Sequence, residues 1–432
     1  MKKLVALILA LALCLSMAVV GASAEEVRTL QFWHSITNAI TYAAFEEVVN
    51  NFNAGIGAEK GIKIELTQFG GAAKLNTALT GSLQNAMNGS TEGLPDIVMG
   101  SAIYIADYIL NAEALVSMTP FIEGENGLDM DAFTPNWLWA CNNYDEKHNV
   151  YCLPFEANNE VVYYNVDFFQ KNNLSIPTTW DEMIEVCKQI KALTGSAGFG
   201  WDNSSHIIST LLEQAGIGYT DAEGKLLFAD NLDATVEAVQ WYVDQVREGN
   251  FRTPGESGYF SGPFANQDIM MYCGSGVEGA YIDMKIDPTN PFTWDTFAVP
   301  QMAGTTTPAT YSESRLIAIM DLDDNAQKQA DAWEFVKYFM SPEVVKTMTG
   351  TGSYIPVLKD VAADPEWIAN ASSAQLVGVE QMDRSYPYYA FMLDDYTSNT
   401  LYTDIRAGMD DVLDNGADLR TTLEAILANY GF

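Results

Sequence analysis

Ile62-Lys63-Ile64-Glu65-Leu66, directly after Gly61, alternates apolar and polar side chains with a period of two. Such a segment buries one face of a strand and leaves the other near water. Working outward, Arg28 to His34 reads as an earlier strand. Between the two, Phe45, Val48, Val49 and Phe52 recur at helical spacing over about Ala39 to Phe52. On the far side, Leu75, Leu79, Leu83 and Met87 mark a second helix, and Pro95-Asp96-Ile97-Val98-Met99 opens a short buried strand. Strand, helix, strand, helix, strand predicts a parallel sheet with covering helices, so the fold class is α/β.

The middle of the chain continues in the same style. Thr179-Trp180-Asp181-Glu182 is a capping box, with Thr179 accepting from the first turn and Glu182 reaching back. The helix it starts carries Met183, Val186, Cys187, Ile190 and Leu193 and breaks at Gly195. A further helix runs from Asn231 to Val246. Strands are expected at Ile269 to Cys273, Trp294 to Pro300 and Arg315 to Met320, followed by a helix from Ala326 to Met340. No repeat, linker or low-complexity segment interrupts the chain.

Composition narrows the function. The 432 residues hold 22 Lys+Arg against 57 Asp+Glu. A surface this acidic repels phosphate backbones and anionic lipid heads, which argues against nucleic acid as a partner. Lys2 and Lys3, an apolar run from Leu4 to about Val20 and Ala22-Ser23-Ala24 have the layout of a secretory signal cleaved before Glu25. A protein exported to the periplasm or the outer face of the cell membrane is therefore expected. Leu13 before Cys14 favours simple cleavage over lipidation. Cys141 and Cys152 flank an expected turn between two strands, where a disulfide and two free buried thiols are both open.

Five stretches carry a resemblance: Phe32-Trp33-His34-Ser35; Leu94-Pro95-Asp96-Ile97-Val98; Pro154-Phe155 with Tyr163-Tyr164-Asn165; Trp333-Glu334-Phe335-Val336-Lys337-Tyr338-Phe339; and Gly352-Ser353-Tyr354-Ile355-Pro356. In this order they resemble the extracellular solute-binding proteins of ABC importers, in the large sugar-type family that includes the maltose- and glycerophosphate-binding proteins. The resemblance implies a two-lobe periplasmic-binding-protein-like fold with a multi-strand hinge and an interlobe ligand cleft. It implies a signal peptide over 1–24, one lobe from 25–153 plus 292–350, and the other from 154–291 plus 351–432. Hinge crossings would fall near Leu153 to Glu156, Tyr281 to Trp294, and Gly352 to Pro356. The implied partners are a small carbohydrate ligand and the permease subunits of an ABC transporter. A monomer without a cofactor or metal is expected.

Candidate ligand-binding residues follow. His34 and Ser35 come after the first strand, where open α/β sheets bind ligands; a histidine satisfied by nearby backbone is the plain alternative for His34. The resemblance implies ligand contacts at Asn158, at Trp201 in Gly198-Phe199-Gly200-Trp201 as an aromatic floor, at Ser275 and at Tyr354. Gly274 and Gly276 beside Ser275 would let backbone approach a ligand closely. Arg315 either faces an acidic sugar or pairs with Glu313 or a nearby carboxylate.

Departures from the glycerophosphate branch shape the ligand. Ser312-Glu313-Ser314-Arg315-Leu316 replaces a Gly-Gly segment, two ligand-facing side chains fall on Ala72 and Ala102, and the branch's late arginine falls near Ser398. Without that arginine, phosphate loses its usual fork. An oligosaccharide is expected, with glycerol-3-phosphate, a glycerophosphodiester or an acidic sugar as alternatives. A secreted glycan-active hydrolase is the rival from another class. The chain has no Gly-x-Ser-x-Gly elbow, no His-Glu-x-x-His helix and only three histidines, so it is not expected to be an enzyme. A sensor or adhesin built on the same clamp is a third reading.

Overall fold

A computed structural model describes residues 27–87, 93–110, 113–221, 225–320, 325–352, 354–386 and 397–432. The expected signal segment, Cys14 and Ser353 lie outside the described residues. The strands are β1 (Arg28–His34), β2 (Ile62–Gln68), β3 (Ile97–Gly100), β4 (Cys152–Asn165), β5 (Phe199–Gly200), β6 (Phe251–Arg252), β7 (Met271–Ser275), β8 (Trp294–Phe297), β9 (Thr310–Ile319) and β10 (Ser385–Tyr386). Eight of them form one sheet in the order β2-β1-β3-β9-β4-β7, with β8 on β4 and β10 on β9. β1 pairs parallel with both β2 and β3, as the strand, helix, strand, helix, strand order predicts. β5 and β6 form a separate parallel pair.

Two strands run through both halves of the molecule. The last residues of β9, Leu316 to Ile319, pair antiparallel with β3 on one side. On its other side β9 pairs with β4 from Cys152 to Asn159, with a register shift between Pro154 and Glu156. The remainder of β4 leaves β9 and pairs with β7 and β8. β4 therefore belongs to a first lobe at its start and to a second lobe at its end. The bulge at Phe155 marks the junction, consistent with the added local bend of such irregularities.

The first lobe's core gathers Phe32 of β1, Phe45 and Phe52 of the helix Ala39–Ala54, and Phe335 and Phe339 of the helix Ala326–Phe339. Phe32 meets Phe45 and Phe335 edge-on at 5.3 and 5.8 Å between ring centroids, a favourable aromatic geometry. The second lobe is built around distal β4, β7 and the helices Trp180–Thr194, Ser204–Gln214 and Leu232–Arg247.

Two expectations change. Among the hinge crossings, Leu153 to Glu156 lies on β4 at the junction. The one expected near Tyr281 to Trp294 does not: β8 pairs only with the distal end of β4, so 294–297 sit with the second lobe and β9 supplies the crossing. The Gly352 to Pro356 segment touches the junction through an Ala157–Ile355 bridge, yet Val357, Leu358, Val361 and Trp367 then return to the first lobe's core. Finally, Cys141 lies in irregular turns and not in a strand; Cys141 and Cys152 are free and buried, each thiol facing a carbonyl, of Trp137 and Ala140 respectively.

Candidate functional site

The C-terminal ends of β1 and β3 and the junction strands β4 and β9 meet around a cavity of about 320 Å³. That volume falls within the range of roughly 300–1,000 Å³ typical of small-ligand sites. The first lobe contributes Ser35 after β1, Asn76 from the helix Ala72–Met87, and Tyr104 and Tyr108 from the helix Ala102–Leu110. Tyr104 and Tyr108 are four residues apart, which puts both rings on one helix face. Asn158, Glu313, Ser314, Arg315 and Tyr354 line the junction, and Ser275 at the end of β7 comes from the second lobe.

Five of the seven residues expected from the sequence line this cavity: Ser35, Asn158, Ser275, Arg315 and Tyr354. Asn158 and Ser275 sit on antiparallel neighbours, and the Asn158 amide donates to the Ser275 hydroxyl at 2.7 Å. The Ser275 backbone is held on both sides. Its N–H donates to Glu278 at 3.2 Å, and its carbonyl accepts from the Tyr163 hydroxyl at 2.9 Å.

Arg315 pairs with Glu156, not with Glu313. Nη1 lies 2.9 Å from a Glu156 carboxylate oxygen, and the guanidinium lies 4.2 Å over the ring of Tyr354. Glu156 is 0 % exposed, and its second oxygen, Oε1, has no hydrogen-bond partner among the described residues. Burial pushes the Glu156 carboxyl upward while Arg315 pulls it back. The Tyr354 hydroxyl is pushed up to about 12, chiefly by burial and against the pull of Arg315. Glu313 instead accepts from the Tyr311 hydroxyl at 3.1 Å.

His34 lies behind the cavity wall, not on it. It is 0 % exposed, stacks on Tyr42 at 5.5 Å and meets Phe45 edge-on at 4.9 Å. Its Nδ1 accepts from the Ile36 N–H at 3.3 Å, which assigns the neutral ring's proton to Nε2. Burial, with the nearby Arg315 charge second, lowers its pKa from 6.5 to about 4. The plain alternative, a histidine held by nearby backbone, describes Nδ1, while the buried Nε2 has no hydrogen-bond partner among the described residues.

Trp201 requires a larger correction. It is 2 % exposed and stacks on Trp180 at 5.5 Å inside the second lobe. Its indole N–H donates to Glu160 at 2.8 Å, and Glu160's other oxygen meets His206 at 2.7 Å. The ring borders a separate cavity of about 90 Å³, away from the junction. The neighbouring glycines do not signal an open loop. A Cβ on Gly200 would meet the Phe260 ring at 2.1 Å, and one on Gly198 would meet Cys187 Cα at 2.8 Å. They permit close packing. Gly274 is similar: its absent side chain makes room for Asp202 and Glu278, each 2.8 Å from an added Cβ. Burial first, and their mutual interaction next, push Asp202's carboxyl well up, and burial raises Glu278.

Asn76, Tyr104, Tyr108 and Ser314 escaped the sequence reading. A signal for the tyrosines exists: they follow Ser101 in the first helix after a buried parallel strand, where α/β sheets place ligands. Ser314 offers none. The residue lines the cavity, but its hydroxyl is itself buried and lacks a hydrogen-bond partner among the described residues.

Comparison with known proteins adds the remaining finding. A family model described as "Bacterial extracellular solute-binding protein" matches residues 47–374. An arabinooligosaccharide-binding protein of Bacillus subtilis is 25% identical over 263 residues, covering 57% of this chain and 55% of that protein. The sn-glycerol-3-phosphate-binding periplasmic protein UgpB of Rhizobium meliloti is 23% identical over 259 residues, covering 54% of each. These alignments span about half the length of the curated relatives. The crystal structure of the cyclic alpha-maltosyl-1,6-maltose binding protein from Arthrobacter globiformis superposes with a TM-score of 0.74 at 20% identity, over 92% of this chain and 96% of that one. The likeness extends over both lobes.

Proposed function

The chain belongs to the bacterial extracellular solute-binding proteins, and we propose that within that family it captures a neutral carbohydrate, an oligosaccharide, for an ABC importer. The observation that carries this reading is the junction cavity. Hydroxyls, amides and tyrosine rings from both lobes converge on it, and its arginine is matched by a buried carboxylate. Sugars present hydroxyl edges and flat apolar faces, so polar groups interleaved with rings suit them. The relatives named for oligosaccharide binding lean the same way.

The mechanism is closure of two lobes about β4 and β9. Ligand that touches Ser35 and Tyr104 on one side and Ser275 on the other stabilises the closed form over the open one. The closed form then docks on the permease and releases the solute unaltered. Export by the segment 1–24 and function as a monomer belong to the same proposal. Binding without turnover separates this reading from a glycan-active hydrolase.

The test is a thermal-shift and calorimetric screen of the purified protein against arabino-, malto- and raffinose-type oligosaccharides, uronic acids and sn-glycerol 3-phosphate. A ligand that binds only the native state raises the melting point. A shift with a neutral oligosaccharide and no released reducing ends is expected. Shifts with sn-glycerol 3-phosphate alone, or new reducing ends, would replace the proposal.

A further inference from the structure

We propose that Glu156 is a specificity-determining residue, which cancels the charge of Arg315 at the cavity wall and so sets the site for uncharged ligands against anionic ones. The inference rests on the reading of the junction cavity as the ligand site and asks what its one arginine is there to do.

The geometry is specific to the junction. Glu156 is the first β4 residue after the bulge and is the register partner of Arg315 on β9. Tyr354, whose ring covers one face of the guanidinium at 4.2 Å, precedes Ile355, which bridges to Ala157. The stack thus joins the two strands that connect the lobes and the segment laid against them. Arg315 and Tyr354 line the cavity; Glu156 stands behind them at 0 % exposure. Arg315 keeps a quarter of its side chain exposed, so donors remain for a ligand on the cavity side.

Glu156 has no other visible task. Among the described residues it makes no hydrogen bond except to Arg315, and Oε1 has no partner. A carboxylate buried with one oxygen unsatisfied is costly, and removing the partner from such a pair costs far more than the pair itself contributes. Its presence is explained if it neutralises a cation that the site uses for its planar fork and not for its charge. Arg315 then donates to hydroxyl oxygens, while a phosphate or uronate approaching it meets a pair with no net charge and the Glu313 carboxylate nearby. Such a ligand would lose its hydration without gaining a free cation.

The test measures a ratio. Wild type and Glu156→Gln are titrated calorimetrically with sn-glycerol 3-phosphate and with glycerol, and with whichever neutral oligosaccharide the screen identifies. E156Q keeps the shape and the hydrogen bond but leaves the Arg315 charge uncompensated. The expected result is a gain of at least tenfold in affinity for sn-glycerol 3-phosphate relative to glycerol, weakened by added salt and abolished in E156Q/R315Q. A merely structural role for Glu156 would lower all affinities together and leave the ratio unmoved, which would overturn the proposal. If E156Q does not fold, the wild type decides: sn-glycerol 3-phosphate should bind it no more tightly than glycerol, and a tenfold preference for the phosphate overturns the idea. If no oligosaccharide binds the wild type, the carbohydrate reading fails while the phosphate ratio still judges Glu156.

Discussion

His34 makes stability depend on pH in a way that can be worked out from its surroundings. Protonating the ring means charging Nδ1, which accepts the Ile36 N–H, inside a shell of Tyr42, Phe45 and Phe32 and near the positive Arg315. The pKa falls from 6.5 in the free side chain to about 4 in the fold, first by burial and then by Arg315. The sign follows from proton counts. Between those two values the unfolded chain binds more protons than the folded one, so stability rises with pH there. The contribution is complete above pH 6.5 and is lost as pH falls toward 4. Near pH 4.5 the loss is about 2.5 kcal/mol, most of the limit of about 3.4 kcal/mol set by the full shift. The assay is urea unfolding of wild type and His34→Phe at several pH values from 7 to 4.5. Carboxylates titrate in both proteins and cancel in the difference, so the variant's advantage should grow by about 2.5 kcal/mol as pH falls. Parallel stability curves over that interval would refute the buried, neutral histidine.

Three further outcomes are expected. Trp201→Ala should cost about 3–5 kcal/mol of stability by emptying a packed core site, seen as a lower melting point, while ligand affinity measured well below that temperature stays within about twofold; a large affinity loss with unchanged melting would put the ring back in the site. Tyr354→Ala should weaken neutral-oligosaccharide binding by about 2 kcal/mol by calorimetry, since the ring lines the cavity and fixes the guanidinium beside it. Asn38→Ala should destabilise the first lobe by about 1 kcal/mol in urea, because the Asn38 side chain accepts from the Ile40 and Thr41 amides at the start of the helix Ala39–Ala54.

The parts of the fold legible in the sequence are those where one face is wet. β2 alternates, the helix from Trp180 opens with a capping box that the structure contains, and the helix from Leu232 starts one residue after its Asn231 cap. β4 was readable only as two motifs. It is a single strand of 14 residues, nearly all buried, so no period marks it. β9 begins five residues before the run at Arg315, because its leading half, Thr310 to Ser314, is mostly polar and gives no apolar signal, although only Glu313 in it is exposed. Ser35 was found by its position after a strand, and Asn158, Ser275 and Tyr354 through the family resemblance. Of the missed ones, Tyr104 and Tyr108 had a positional signal, whereas Asn76 and Ser314 lie where nothing local separates a ligand contact from an ordinary polar side chain. Trp201 misled for a physical reason: glycine beside an aromatic ring reads as a loop, whereas Gly198 and Gly200 are there to admit Cys187 and Phe260.

The two sides of the cavity are prepared differently, and the difference bears on what it holds. Ser275 is fixed before any ligand arrives: its amide, carbonyl and hydroxyl already engage Glu278, Tyr163 and Asn158. A ligand contacting it has little ordering left to impose, which lowers the cost of binding. Across the junction Ser314 lines the cavity, and its hydroxyl is buried without a partner among the described residues. A buried hydroxyl left unpaired costs about 1–3 kcal/mol, and a ligand hydroxyl that reached it on closure would recover that cost. A preformed polar contact on one lobe and an unsatisfied one on the joining strand together favour a solute that carries several hydroxyls at once. That is the chemistry of a sugar, and it is the reason the proposed closure would gain more from a sugar than from a compact apolar or singly charged molecule.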